Sequence, residues 1–367
     1  MTERDRAAPT VKGRGATYNP ENRFRADARE RCDDGWPGAH DDDEELPPLR
    51  TTVTIQRART IIAHNDSPDV PFAQSINPYQ GCEHGCIYCY ARPSHAYLDL
   101  SPGLDFETKL YAKPDASALL RAELAKPGYR CDPIALGTNT DPYQPIERDW
   151  KVTRSVLEVL AEHNHPFTIV TKSALVERDI DIIAPMAAQR MARVYLSVTT
   201  LDRELARKLE PRAAAPHRRL QALKTLSAAG IPVGVMVAPI IPQLNDRDLE
   251  AILDAASANG AIAAGWVLVR LPREVAPLFR DWLELHYPQR AAHVMSLIQQ
   301  MRGGRDYDST FGSRMRGEGE FAALFAKRFD IACKRLGLNR GRAHTGLDTT
   351  RFTPPARTND ARQHTLF

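Results

Sequence analysis

Short apolar runs alternate with amphipathic helical patterns through the middle of the chain, and this alternation limits the possible folds more than any other feature. The apolar runs predict strands at 74–79, 134–140, 167–173, 194–200, 233–239 and 266–271. The patterns between and after them predict helices near 115–125, 152–164, 179–191, 216–229, 246–259 and 276–286. Repeated strand–helix units form parallel α/β sheets. Six units are too few for a closed eight-stranded barrel, so an open partial barrel and a doubly wound sheet both fit the pattern.

Three of the six cysteines fall within eight residues of one another. Cys82, Cys86 and Cys89 have the spacing Cys-x-x-x-Cys-x-x-Cys, so their thiols are predicted to lie close together in any fold. A structural zinc site normally has four protein ligands, and His84 or His95 would have to supply the fourth. Three cysteines alone can hold a cubane iron–sulfur cluster and leave one iron open. The spacing therefore favours a cluster and leaves zinc as the alternative.

This cysteine loop, with Tyr88 before the last cysteine, resembles the cluster motif of the radical S-adenosylmethionine (SAM) superfamily. Gly81 before the first cysteine and Tyr90-Ala91-Arg92 after the last are similar to its spore-photoproduct-lyase-like branch. The resemblance implies an α/β fold, an open (β/α)6 partial barrel of the TIM type. It also implies a [4Fe–4S] cluster on the three cysteines, and reductive cleavage of SAM to a 5′-deoxyadenosyl radical. An electron donor such as flavodoxin or ferredoxin is implied as a partner.

Polar side chains follow two of the predicted strands at the edge where parallel strands end. Asn139, Thr140 and Asp141 follow the second strand and suit an ammonium group or hydroxyls, although an Asx turn before a proline explains them equally well. Lys172 ends the third strand and can neutralise a carboxylate, with a solvated lysine as the alternative. The resemblance implies that the first three contact the amino group of SAM and that Lys172 contacts its carboxylate.

Hydroxyls and a charged pair follow the fourth strand. Ser197 and Thr199 fall on one face by strand alternation and are predicted to reach the ribose or carboxylate of SAM if that face points into the barrel. Glu210 and Arg212 resemble the family's segment after this strand, which implies that they also contact SAM. A surface ion pair explains these two nearly as well.

The sequence constrains the substrate less than the cofactors. The spore photoproduct lyases that the chain resembles use a cysteine near the second strand as a hydrogen-atom donor, and residues 137–141 contain none. Cys131 precedes that strand and Cys333 lies in a helical pattern, so no catalytic hydrogen-transfer residue is assigned. We expect a lyase-like radical SAM enzyme that acts on a nucleic-acid lesion or nucleotide, with a role in DNA repair. The alternative is a metal- or cluster-containing nucleic-acid-binding protein without SAM turnover.

Residues 302–342 are basic, with ten Lys and Arg against five Asp and Glu, and five aromatic residues lie among them. Such a surface suits the backbone and bases of nucleic acid. The spacing of Phe321, Phe325 and Phe329, however, is that of a helix face turned toward a core. Nucleic-acid contact by this region is therefore one of two interpretations.

We divide the chain into a mostly disordered N-terminal extension at 1–50, a radical SAM core at 51–290, a basic helical C-terminal extension at 291–345 and a flexible tail at 346–367. The first part is polar, and its segment 13–24 is predicted to be a solvated tail rather than docked on nucleic acid or on the protein. The chain ends Gln363-His364-Thr365-Leu366-Phe367. This resembles the peptide with which bacterial DNA-metabolism proteins bind the replication sliding clamp.

The composition argues against two classes of protein. No run approaches the roughly 18 apolar residues that cross a bilayer, so we expect no membrane association and a cytoplasmic location. Six cysteines in 367 residues, without a secretory signal, disfavour a disulfide-stabilised protein.

Overall fold

The computed structural model describes residues 11–25, 49–341 and 346–356. Its strands are β1 Thr52–Ile55, β2 Ile62–His64, β3 Gln74–Ile76, β4 Tyr79–Gln80, β5 Lys109–Ala112, β6 Ile134–Leu136, β7 Phe167–Thr171, β8 Ala192–Ser197, β9 Val233–Ile240 and β10 Ala263–Leu268. Seven of them form one sheet in the order β10-β9-β8-β7-β6-β3-β2. All neighbours in this sheet are parallel except β2, which pairs antiparallel with β3 at one edge. The predicted α/β class and parallel sheet are confirmed.

The α-helices are α1 Leu104–Thr108, α2 Ala116–Leu124, α3 Glu147–Trp150, α4 Val152–Glu162, α5 Ile180–Ala188, α6 Arg203–Leu209, α7 Pro216–Ala228, α8 Leu249–Ala258, α9 Val275–His286, α10 Pro288–Gln300, α11 Ser313–Arg316 and α12 Gly319–Leu336. Short 3-10 helices span Arg92–Leu98, Ala174–Asp179 and Asp246–Asp248. Helix α4 illustrates why they form: Val152, Val156 and Leu160 recur every four residues and are buried. Within the described ranges, no helix has both the length and the apolar character needed to cross a membrane.

Several strands end earlier than the apolar runs suggested. The run 134–140 forms a strand only as far as Leu136, because Gly137 adopts φ +92°. A Cβ on Gly137 would lie 1.9 Å from the carbonyl oxygen of Val170 on the neighbouring strand. Only glycine fits this conformation and this close approach. The chain therefore leaves the sheet at Gly137, and residues 138–141 form a loop above it.

A second, three-stranded sheet supports the cysteine loop. Its order is β1-β5-β4, with β1 parallel and β4 antiparallel to β5. Strand β4 ends at Gln80, two residues before Cys82, and the amide of Cys82 donates to the carbonyl oxygen of Phe106 at 3.0 Å. The loop is thus fixed at its start by backbone pairing. The run 74–79, predicted as one strand, contains β3 and the start of β4, and β5 was not predicted, so this separate sheet was missed.

Residues 11–25 are not the solvated tail that we predicted for segment 13–24. Arg14, Ala16 and Asn22 are buried, and the amides of Gly15 and Ala16 both donate to the carboxylate of Glu107 at 2.9 Å. The prediction was wrong because it rested on polar composition, whereas these residues are held by specific hydrogen bonds rather than by apolar contacts. The acidic run at 41–45 and Cys32 lie outside the described residues.

The C-terminal part packs on the core as well. Phe325 and Phe329 of α12 are buried, whereas Phe321 is 40% exposed, so the helical-face interpretation holds for two of the three rings. In the tail, Phe352 lies 5.2 Å from the ring of His165, and the Thr353 amide donates to His163 O at 2.9 Å. Residues 346–356 are therefore anchored, in contrast to the predicted flexible tail. The proposed clamp-binding residues 363–367 lie outside the described part of the chain.

Candidate active site

The three cysteines of the loop line one cavity of about 100 Å³. It lies at the carboxyl ends of the parallel strands, since its lining also includes residues that follow β6 and residues at the ends of β7 and β8. Of the eight residues predicted to contact SAM, five share this cavity with the cysteines: Asn139, Thr140, Asp141, Lys172 and Ser197. Residues far apart in sequence are thus brought together around the thiols.

The donor set of this cavity fits an iron–sulfur cluster. Cys82, Cys86 and Cys89 are all free thiols. Burial raises the pKa of each, that of Cys86 to about 12, and the proximity of Cys89 adds to the effect on the other two. Such thiols are neutral without a cation, and metal coordination deprotonates them.

The zinc alternative requires a fourth ligand beside the three thiols. In the part of the chain that the structure describes, no three His, Cys, Asp or Glu side chains are arranged to hold a single metal ion. His84 Nδ1 lies 3.4 Å from Asp141 Oδ2, and His95 Nε2 lies 2.9 Å from the carbonyl oxygen of Lys109. One ring nitrogen of each histidine therefore has a protein partner, whereas Nδ1 of His95 has none among the described residues.

Asp141 has contacts on both carboxylate oxygens. Oδ1 accepts hydrogen bonds from the Tyr143 amide at 2.8 Å and the Thr171 hydroxyl at 2.7 Å, and Oδ2 accepts one from the Lys172 amide at 2.7 Å. The first bond is the Asx turn that the sequence left open. Burial alone would raise the pKa of Asp141, but His84 and these hydrogen bonds outweigh it and lower the pKa to about 2. Asp141 is thus an ionised carboxylate that joins two strand ends beside the cysteines.

Lys172 contributes positive charge to the cavity. Its ammonium lies 5.9 Å from the centre of the Tyr88 ring. Burial would lower the pKa of Lys172, but the carboxylate of Glu210 outweighs this and raises it, so the ammonium stays charged. The cavity therefore contains a cation that can receive the carboxylate of a ligand.

Glu210, for which the resemblance implies a SAM contact, is not among the residues that line the cysteine cavity. It is buried, and its carboxylate accepts hydrogen bonds from Tyr88, from Thr199 at 2.5 Å, and from Arg219. Burial alone would raise the pKa of Glu210, but Arg219 and Lys172 dominate and lower it to about 2. Its visible role is to hold the tyrosine of the cysteine motif in place.

Thr199 and Arg212 also lie outside the cysteine cavity. Strand β8 ends at Ser197, so strand alternation no longer governs Thr199, whose hydroxyl turns to Glu210. Arg212 donates to Glu83 Oε1 at 2.7 Å, and Glu83 lies within the loop next to Cys82. Both residues therefore help to hold the cysteine loop, Thr199 through Glu210 and Arg212 through Glu83.

A buried ion pair that the sequence analysis did not identify fixes the other side of the loop. Arg92, fully buried, forms an ion pair with Glu107. Its guanidinium also donates to backbone carbonyl oxygens, including that of Cys86 at 2.9 Å and that of Gly103 at 3.0 Å. The Glu107 carboxylate in turn accepts hydrogen bonds from the backbone amides of residues 15 and 16. The N-terminal segment, Glu107 and Arg92 thus clamp the loop together.

A second cavity, of about 210 Å³, adjoins the first and shares four lining residues with it: Cys86, Cys89, Tyr90 and Lys172. Its other walls include Pro239, Arg270 and Met315, which sequence reasoning missed. The guanidinium of Arg270 lies 4.8 Å from the Tyr90 ring and 5.8 Å from the Tyr307 ring. This cavity opens a route from the cysteines to an aromatic and cationic surface.

Comparison with known proteins finds a superfamily model and related sequences. A family model described as the radical SAM superfamily matches residues 76–256. An uncharacterised protein of Mycobacterium tuberculosis is 37% identical over 233 residues, which cover 63% of this chain and 68% of that protein. Another, of Methanocaldococcus jannaschii, is 29% identical over 215 residues, or 58% and 76% of the two chains.

The fold is similar to that of spore photoproduct lyase. A structure of that enzyme complexed with a dinucleoside spore photoproduct has a TM-score of 0.54 and 17% identity, and covers 78% of this chain and 80% of its own. A variant of it with bound AdoMet gives the same values. The resemblance inferred from the cysteine loop is confirmed. The chain belongs to the radical SAM superfamily, whose enzymes use SAM and a [4Fe–4S] cluster.

Proposed function

We propose that the protein cleaves SAM reductively at a [4Fe–4S] cluster held by Cys82, Cys86 and Cys89, and that its substrate is a nucleic acid or nucleotide. One observation carries the first half: the three free thiols share a cavity with the polar strand ends. When bound, the cluster supplies the electron that breaks SAM into methionine and a 5′-deoxyadenosyl radical.

The residues around the cavity have distinct proposed roles toward SAM. Lys172 neutralises the carboxylate of SAM, since it is the charged cation of the cavity. Asn139, Thr140 and Ser197 supply small polar groups beside it. Asp141 orients the loop after β6 and adds a negative charge near the amino group. Glu210 and Arg212 act indirectly, by holding the cysteine loop.

Exposed aromatic rings with arginines beside them support a nucleic-acid substrate. Tyr90 is 45% exposed and Phe311 is 56% exposed. The guanidinium of Arg314, which also forms an ion pair with Asp69, lies 4.5 Å from the Phe311 ring, and Arg270 lies between two tyrosines. Stacked rings with nearby cations suit unpaired bases and phosphates.

The same reaction as that of spore photoproduct lyase is not proposed. The dinucleoside bound by that enzyme supports a nucleic-acid substrate and a role in DNA repair, but the loop 137–141 has no cysteine. Cys131 and Cys333 line neither cavity. Hydrogen transfer here would have to use another residue, and of the tyrosines at 79, 88, 90, 97 and 143 only Tyr90 lines both cavities.

We predict that anaerobically reconstituted protein will contain about four irons per chain and will form 5′-deoxyadenosine from SAM after reduction with dithionite. Iron and sulfide analysis and chromatography of the products measure the two results. Reduced protein with a full cluster but no 5′-deoxyadenosine would contradict SAM cleavage. Zinc in place of iron would contradict the cluster.

We further predict that Phe311→Ala will weaken binding of a single-stranded oligonucleotide by about 1–3 kcal/mol, the typical value of one stacked base. Fluorescence anisotropy at fixed salt measures this change. Ile331→Ala is the matched control, because Ile331 is 59% exposed but is aliphatic and lies on α12. Equal binding by the Phe311 variant and the wild type would argue against this surface.

Two expected properties stay predictions without structural support. The sliding-clamp peptide at 363–367 lies outside the described residues, so clamp binding with and without these five residues is the direct test. The cytoplasmic location likewise rests on the sequence alone.

A further inference from the structure

We propose that an acidic electron-carrier protein docks on an arginine surface formed by Arg148, Arg203 and Arg207 around the segment 209–214. This inference rests on the proposed function, because each reductive cleavage of SAM consumes one electron from outside the chain. In the docked complex one electron passes from the carrier to the enzyme's cluster. The carrier is oxidised by one electron, the cluster is reduced by one, and no atom is transferred.

Two surface cavities meet at this place. One, of about 400 Å³, is lined by Arg148, Arg212 and Arg218 together with His84. The other, of about 530 Å³, is lined by Arg203 and Arg207 among others. They share Ala213 and Ala214. Residues 211–214, which follow the buried Leu209 and Glu210, therefore form a ridge between the two arginine-lined cavities.

The surface carries unneutralised positive charge. Arg148, Arg203 and Arg207 are exposed, and over residues 11–25, 49–341 and 346–356 none of the three forms an ion pair. Arg212 and Arg218 pair with Glu83 and Glu177, at 2.7 and 3.0 Å. The unpaired arginines attract an acidic partner and speed its association at low salt.

The ridge lies directly against the cysteine loop. The Arg212 amide donates to the carbonyl oxygen of His84 at 3.2 Å, and the Ile87 amide donates to that of Leu209 at 3.1 Å. His84 lines both the 400 Å³ cavity and the cysteine cavity. Hydrogen-bonded backbone thus connects the docking surface to the residues between the cluster cysteines.

The arginine surface is separate from the proposed substrate route. The cavity that contains Tyr90 and Arg270 shares no lining residue with the two arginine-lined cavities. The proposed docking surface and the proposed substrate route therefore involve different residues. Among the described residues, the arginine cavities also have no exposed aromatic ring, so the surface lacks the stacking groups that single-stranded nucleic acid uses. These features favour an acidic redox protein as the occupant.

The test is binding of oxidised flavodoxin to the purified protein, measured by biolayer interferometry at low and moderate salt. The triple variant Arg148→Glu/Arg203→Glu/Arg207→Glu is expected to bind about tenfold more weakly and to lose most of the salt dependence, since charges on an interface rim act mainly through long-range attraction. The corresponding glutamine variant should give an intermediate loss. Lys126→Glu is the control, because Lys126 is exposed and follows α2 at the opposite end of the sheet.

A second measurement separates this inference from the proposed function. The triple variant should lose about tenfold in SAM cleavage driven by subsaturating reduced flavodoxin and should match the wild type when dithionite with methyl viologen is the reductant. Absent cleavage with the chemical reductant would count against the proposed function, while flavodoxin binding would still decide the surface. Equal flavodoxin binding by the triple variant and the wild type would overturn the proposal, and so would a loss of oligonucleotide binding alone.

Discussion

Replacing any one of Cys82, Cys86 and Cys89 by alanine should remove the iron–sulfur cluster and with it all reductive cleavage of SAM. A cluster with one open iron has three thiolate ligands, so the loss of one leaves two, too few to hold it. Two other potential ligands, His84 and Asp141, line the cavity and contact each other, but an imidazole and a carboxylate do not substitute for the third thiolate of the cysteine motif. We expect iron to fall from about four per chain to a small residue, and 5′-deoxyadenosine to fall below detection.

The matched controls are Cys131→Ala and Cys333→Ala, which change a thiol outside both cavities. They should keep full iron content and full SAM cleavage. Cys32→Ala, outside the described residues, should also be silent. Circular dichroism and the thermal midpoint establish that each variant is folded. A cysteine variant with unchanged iron and activity would show that its thiol is not a ligand.

The sequence was most informative where the site is local or follows a rule of the fold. The cysteine loop could be identified because its three cysteines lie within eight residues. Lys172 and Ser197 could be placed beside it because parallel strands end at one edge. Thr199 could not, because the alternation rule stops where β8 stops, and nothing in the local pattern marked Ser197 as the last strand residue.

The buried ion pairs that hold the loop could not be predicted from the sequence for a different reason. Glu210 and Arg219 form a buried ion pair, and Arg92 forms another with Glu107, but a charged side chain in one sequence carries no sign of burial. Only the tertiary fold determines which charges lose contact with water. The segment 11–25 escaped prediction likewise, because it docks through its backbone amides onto Glu107.

The second large effect is expected for Arg92→Ala, which should destabilise the protein by about 3–5 kcal/mol, the typical cost of breaking a buried ion pair. Both side chains of the Arg92–Glu107 pair are fully buried. Removing the guanidinium leaves the carboxylate of Glu107 uncompensated and takes donors from the carbonyl oxygens of Cys86 and Gly103. Chemical denaturation measures the free energy of unfolding, and iron content after reconstitution reports whether the loosened loop still assembles the cluster.

Two comparisons test whether the loss of stability arises because the ion pair is buried. Arg121→Ala breaks an ion pair with Glu162 whose side chains are 43% and 53% exposed, so it should cost about 1 kcal/mol or less. The double variant Arg92→Met/Glu107→Met should be more stable than the sum of the single effects predicts, because neither charge is then left buried alone. Strictly additive effects, or an Arg92→Ala variant as stable as Arg121→Ala, would mean that this pair does not hold the loop.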